Sequence, residues 1–267
     1  MTGHFTFGVS DFKTSEPLLN FETILGSGMD FIEPGLAKVA AMTETEFTEL
    51  AARLRSSKVR VQSMNWFLPP TLKVTGPDVD HAKSREFLQA ALVRASVLGA
   101  KAVVFGSPGS RSIPEGFSAE EAGQQMIDFC RLAADVIRTG GFELRIAVEH
   151  VNHTETNFIN TFAQALDLVR EVNRAEIGLA ADFYHFAMEN ESTEILSEAG
   201  DLVCAVQLAD PQGRCFPRPG QPVPKLELFL KHLQSINYCG GVSVEANVGD
   251  DLASDCRLAL VALRSMI

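Results

Sequence analysis

Short apolar runs recur along the chain. Each is followed by a stretch in which apolar residues return every three or four positions. Eight runs have the length and composition of strands, at 5–10, 31–33, 59–65, 102–106, 144–149, 177–182, 203–208 and 241–245. The helical period appears around 21–25 and at 44–54, 85–98, 119–137, 162–172, 226–233 and 252–263. In 44–54, for example, Phe47, Leu50, Ala51 and Leu54 share one face. Thr43 and Ser118 each precede an acidic first turn, which predicts helix caps there. Gly99, Gly140 with Gly141, and Gly240 stand where helices should stop.

Eight strands alternating with helices over 267 residues is the pattern of a (β/α)8 TIM barrel, here a single domain over 1–267. A doubly wound open sheet is the alternative, but it usually needs fewer strands, and its Gly-rich phosphate turn is missing. The longest insertion, 67–80, carries Pro69, Pro70, Gly76 and Pro77. It leaves the third strand at the end where barrel active sites form, and predicts a lid.

Composition narrows the partners. Hydrophobic residues make up 46% and charged residues 21%, which is ordinary globular usage. With 34 acidic against 23 basic side chains the formal charge is −11. Such a chain suits neither a phosphate backbone nor an anionic membrane surface. There is no apolar run of spanning length, and the amino terminus lacks a charged segment followed by an apolar one. A cytoplasmic location is expected. The five cysteines are scattered without CxxC spacing, as reduced thiols would be.

Barrel chemistry sits at the carboxyl ends of the strands. Here strand five ends in Glu149, strand six in Asp182 and strand eight in Glu245, while strand seven carries Gln207. Any one such acid also suits a helix cap or an arginine partner. On four consecutive strands, after apolar runs, the group reads differently. Half-desolvated carboxylates repel one another, and a divalent cation offsets that repulsion. Carboxylate and amide oxygens suit Mg²⁺ or Mn²⁺ better than zinc. His185 lies three residues beyond Asp182, near the place of a substrate oxygen. Arg214 and Arg218 share the Pro-rich loop after strand seven, and His150 and His153 follow strand five.

These segments together resemble the xylose isomerase-like family of sugar isomerases and epimerases, from strand three to strand eight. The run from Glu149 through Asn152 and His153 to Glu155 is similar to the family's E-x-x-N-R-x-E. Asp182-Phe183-Tyr184-His185 resembles its D-x-x-H. Gly213-Arg214 resembles its substrate-binding arginine segment, and the run from Tyr238 to Glu245 resembles its Y-x-G-x-V-S-x-E. The resemblance implies that Glu149, Asp182, Gln207 and Glu245 bind one divalent ion (Mn²⁺, Mg²⁺ or Co²⁺). It implies that Glu149 and Glu245 are the acid/base pair, and that Glu155, His185 and Arg214 hold the substrate. Two positions depart from the pattern. Gln207 stands where ketose 3-epimerases usually have His, as in the hydroxypyruvate isomerase branch. His153 stands in place of the family's Arg.

The chemistry so implied is transfer of a proton alpha to a polarised carbonyl, through an enediolate. Return of the proton on the opposite face gives epimerisation, and return to the neighbouring carbon gives isomerisation. Asn65 and Trp66, ahead of the 67–80 insertion, are further candidates for contact with the sugar, the only Trp of the chain offering an aromatic face. The expected partner is a small sugar or sugar phosphate. Homo-oligomers are common among such barrels. A keto-cyclitol or dehydroshikimate dehydratase and a non-catalytic sugar-binding barrel remain open. A zinc endonuclease would need more strand-end histidines and a basic groove.

Overall fold

A computed structural model describes residues 5–267. The amino-terminal segment considered above as a targeting signal begins outside them. In chain order the elements are β1 (Thr6–Ser10), α1 (Pro17–Gly26), β2 (Phe31–Glu33), α2 (Leu36–Ala40), α3 (Glu44–Ser56), β3 (Ser63–Met64), α4 (His81–Leu98), β4 (Ala102–Phe105) and α5 (Pro108–Arg111). They continue as α6 (Ala119–Gly140), β5 (Arg145–Glu149), α7 (Phe162–Val172), β6 (Ile177–Asp182), α8 (Phe183–Met188), α9 (Leu196–Ala199), β7 (Val203–Leu208), α10 (Leu226–Ser235), β8 (Gly241–Val244) and α11 (Leu252–Arg264). The strands are parallel, in the order β2-β1-β8-β7-β6-β5-β4-β3. Single bridges from Ile32 to Val61 and from Gly35 to Asn65 join the two ends. The sheet is therefore a (β/α)8 barrel and not an open doubly wound sheet.

The third strand is shorter than its sequence suggests. Only Ser63 and Met64 form a ladder, to β4, while Val61 and Asn65 make isolated bridges to the β2 side. The cause lies opposite: β2 ends after three residues at Pro34, which has no N–H to give a ladder. Several helices match their expected cores closely. Thr43 makes a full capping box with Glu46, and the Ser118 hydroxyl accepts from Glu121 N. Helix α4 begins four residues ahead of the periodic signal, because the Asp80 carboxylate accepts from the amides of Ala82 and Lys83.

Strand alternation separates the two faces of the wall. Ile146, Val148, Leu179, Val206 and Leu208 belong to the main core with the helices, whereas Ala102, Val104, Ala147, Ala180 and Ala205 form a small cluster of their own. Two residues beyond Ala147, Ala180 and Ala205 come Glu149, Asp182 and Gln207. The polar groups at the mouth thus share a face with small, apolar side chains. Residues 67–80, the expected lid, are bonded to α5 and α6. Val74 N bonds Ser110 O at 3.0 Å, Thr75 Oγ1 bonds Arg111 O at 3.0 Å, and Gly76 N bonds Gln125 Oε1 at 2.7 Å. Phe67 and Val74 are fully buried.

Candidate active site

The cavity at the carboxyl ends of the strands has a volume of about 270 Å³. Glu149, Glu245, Glu155, His185, Arg214, Asn65 and Trp66 all line it. Parallel register sets Asp182 beside Gln207, and Gln207 beside Ser243. One oxygen of Asp182 caps α8 by accepting from Tyr184 N at 2.9 Å. Its other oxygen, Oδ2, is buried and has no hydrogen-bond partner, and the same is true of Gln207 Oε1. Unpaired buried acceptors of this kind are costly and call for a donor or a cation.

Glu149, Asp182 and His185 each bring one side-chain oxygen or nitrogen within 4.8 Å of the others. The His185 ring is held from behind. Its Nδ1 accepts from Asn152 N at 3.2 Å and lies 2.8 Å from Asn152 Nδ2. Its Nε2 stands 3.6 Å from Glu149 and 3.5 Å from Asp182. Burial, with the nearby positive groups, holds His185 well below the usual imidazole range. The ring is therefore neutral, and with Nδ1 accepting, its proton sits on Nε2 and faces the two acids.

Glu245 is engaged differently. Its carboxylate meets Arg214 Nη2, and its Oε1 accepts from Asn65 Nδ2 at 2.9 Å. Arg214 Nη1 reaches Glu155 at 3.0 Å. The guanidinium lies between the rings of Phe12 and Tyr184, with its centre 4.2 and 4.3 Å from them. Arg218, the other arginine of that loop, pairs instead with Asp255 at 2.6 Å. His153 is exposed and bonds Glu189, while His150 is buried against Phe162 and Phe186. Trp66 is half exposed at the rim, and its indole N–H donates to Asp11 O at 2.6 Å.

The electrostatics follow from this packing. Burial pushes Glu149 well above the usual carboxylate range, and the charges of Asp182 and Glu245 add to it against Arg111 and Arg214. Burial likewise raises Asp182 to about 6 and Glu245 to about 8, with Arg214 pulling both down. For Arg214, burial works against the charge, but Glu245, Asp182, Glu155 and Glu149 outweigh it and keep the side chain protonated.

Two contributors were not singled out in the sequence. Glu33 ends β2 after Phe31 and Ile32, and is fully buried. It accepts from Gln207 Nε2 at 2.6 Å and from the Ser63 hydroxyl. Its signal, an acid after an apolar run, matches that of Glu149 and Glu245. Gly106 follows β4, and a Cβ there would collide with Glu149 Oε2. Its absence of a side chain makes room for the acid.

An eight-stranded barrel with buried acids at the mouth defines a class, and comparison with known proteins supplies the family. Residues 21–263 match the xylose isomerase-like TIM barrel family, and the chain belongs to it. It is 36% identical over 115 residues to an inosose isomerase of Bacillus licheniformis, covering 39% of this chain and 40% of that protein. It is 29% identical over 129 residues to a ketose 3-epimerase of Arthrobacter globiformis, covering 48% of this chain and 44% of that protein. The chain thus spans less than half the length of these two curated relatives. A D-allulose 3-epimerase structure from Methylomonas sp. superposes with a TM-score of 0.82 at 21% identity, covering 99% of both chains. At that identity the likeness concerns the fold.

Proposed function

We propose that this barrel is a divalent-metal-dependent isomerase or epimerase of a small ketone-bearing sugar or cyclitol. The observation that carries the reading is the pair of buried, unpartnered oxygens on register neighbours, Asp182 Oδ2 and Gln207 Oε1, with Glu149 and Asp182 bringing side-chain oxygens within 4.8 Å of each other. Glu149, Asp182, Gln207 and Glu245 would hold one Mn²⁺, Mg²⁺ or Co²⁺, an oxygen-rich set suited to hard cations. When bound, such an ion polarises the substrate's carbonyl and acidifies the adjoining C–H.

The chain's own residues do the rest. Glu149 and Glu245 line the cavity from β5 and from the end of β8. One removes the alpha proton, and the other delivers a proton from the opposite side. Without a cation, burial holds both carboxyls above the usual carboxylate range. Arg214, Glu155 and the Nε2–H of His185 orient the substrate's oxygens. Among the described residues Arg214 is the only arginine or lysine lining the cavity, and two glutamates already claim it. That favours an uncharged substrate over a phosphorylated one. Names of the relatives, an inosose isomerase and a ketose 3-epimerase, agree with this class.

The test is a panel of free ketoses and keto-cyclitols, with phosphorylated counterparts, incubated with Mn²⁺ in deuterated water. Deuterium at C3 of a ketose marks epimerisation, and deuterium at C1 or C2 marks isomerisation. Loss of water would mark a dehydratase instead. No exchange with any substrate, in protein shown to bind Mn²⁺, would overturn the enzymatic reading.

A further inference from the structure

A glutamine has two chemically opposite ends of nearly equal shape. Only one of them, the oxygen, can ligate a cation. At the position of Gln207 something must tell these ends apart. The neighbouring hydroxyls do not. Ser10 Oγ accepts from Gln207 Nε2 only at 3.3 Å, and its hydroxyl, like that of the register partner Ser243, can equally turn to donate. Asp182, its register partner on β6, would attract the wrong end, since a carboxylate draws the NH₂ group.

Glu33 is the group that discriminates. Its Oε1 accepts from Gln207 Nε2 at 2.6 Å, and its Oε2 accepts from the Ser63 hydroxyl. A proton carried on Oε2 would leave Oε1 an acceptor, so the preference does not depend on the charge of Glu33. Both residues of this contact are buried, and so are Ser10 and Ser63, which bond to them from β1 and β3. With the nitrogen held, Gln207 Oε1 is left buried and without a partner.

We infer that Glu33 is a positioning residue: by taking the amide nitrogen of Gln207 it turns the amide oxygen to the cation site and keeps the NH₂ group away from Asp182. The inference rests on the reading of the barrel mouth as a metal centre. Partners placed behind metal ligands typically change metal affinity by about 10–100-fold.

The experiment is calorimetric titration of Mn²⁺ into the full chain, with the melting temperature of every variant recorded to show that it folds. Glu33→Met removes the acceptor at similar length and should weaken Mn²⁺ binding roughly 10–100-fold. Glu33→Gln keeps an acceptor for Gln207 and should stay within roughly threefold of wild type, a change of about 0.6 kcal/mol. In a Gln207→Met background, Glu33→Met should cost nothing more, because there is no amide left to orient. Wild-type affinity in Glu33→Met would overturn the inference while leaving the metal centre intact. So would equal losses in Glu33→Gln and Glu33→Met, or additive losses in the double variant. A wild-type protein that binds no divalent ion would overturn the metal reading itself, and this inference with it.

Discussion

Arg214 bonds Glu245 twice, through Nη2 to the carboxylate and through Nε to the main-chain carbonyl at 3.4 Å. One cation thus fixes both the side chain and the backbone of a proposed acid/base group. Arg214→Met should leave the barrel folded but lower kcat/KM by roughly 10²-fold or more, as loss of a buried charge partner does. Arg214→Lys should recover little of it, since an ammonium neither forks to two carboxylates nor offers a planar guanidinium to the rings of Phe12 and Tyr184. Steady-state kinetics beside a melting curve decide the matter, and near-normal kcat/KM in Arg214→Met would remove this residue from the mechanism.

Glu149→Gln and Glu245→Gln test the proton transfer directly. Each keeps the shape of the side chain and removes its basicity, so turnover should fall by about 10²–10⁴-fold. The metal-free melting temperature at pH 8 should hold or rise, because each variant deletes a carboxylate whose ionised form is penalised by burial. Full turnover in either variant would end its assignment.

Without metal, the acids at the mouth should make stability fall as pH rises. Asp182 is raised from 3.8 to about 6 and Glu245 from 4.5 to about 8, and Glu149 moves the same way. The folded chain therefore binds more protons than the unfolded one in this window. These groups' contribution is fully present below their unfolded values and is lost as pH climbs through the folded ones. A chelated sample should melt progressively lower between pH 5 and pH 8.5. Saturating Mn²⁺ should flatten or reverse the slope, since the ion favours the ionised acids. A pH-independent melting temperature in chelator would contradict the strained-acid picture.

Glycine positions give a matched pair of substitutions. Gly106→Ala sets a methyl group against Glu149 Oε2 and should displace that carboxylate. Turnover should drop at least tenfold with little loss of fold. Gly123, within α6, has open space around it, and Gly123→Ala should raise stability by about 0.5–1 kcal/mol without touching turnover. Denaturant titration and kinetics on both proteins separate the two effects.

Most of the barrel is legible because its strands are short apolar runs, whereas the helices repeat their apolar residues every three or four positions. Ile177–Asp182 and Val203–Leu208 match the expected 177–182 and 203–208. β3 was overestimated because its length is set by Pro34 on the facing strand, which no local window registers. At the mouth, Glu149, Asp182, Gln207 and Glu245 stood out as polar ends of apolar runs. Glu33 carried the same signal, but in a strand of three residues followed by Pro34 and Gly35. Arg214 and Arg218 were indistinguishable by composition, and only the chain path sends one to Glu245 and the other to Asp255. The role of Gly106 lies in what it omits, which becomes visible only beside Glu149.

The join between β2 and β3 divides the barrel mechanically. It rests on the bonds Ile32 N to Arg60 O, Asn65 N to Pro34 O, Leu36 N to Asn65 O and Ala37 N to Trp66 O, at 3.0, 3.1, 2.8 and 2.9 Å. β5, β6 and β7, by contrast, pair along continuous ladders broken only by a register shift at Leu179 and Ala180. Segments with few ladder bonds open at lower free energy. Asn65 and Trp66 sit on this seam, while Glu149, Asp182 and Gln207 sit on the continuous wall. The cavity therefore has one half built on continuous ladders and another built on a seam of isolated bonds. In amide exchange, the seam should lose its protons first.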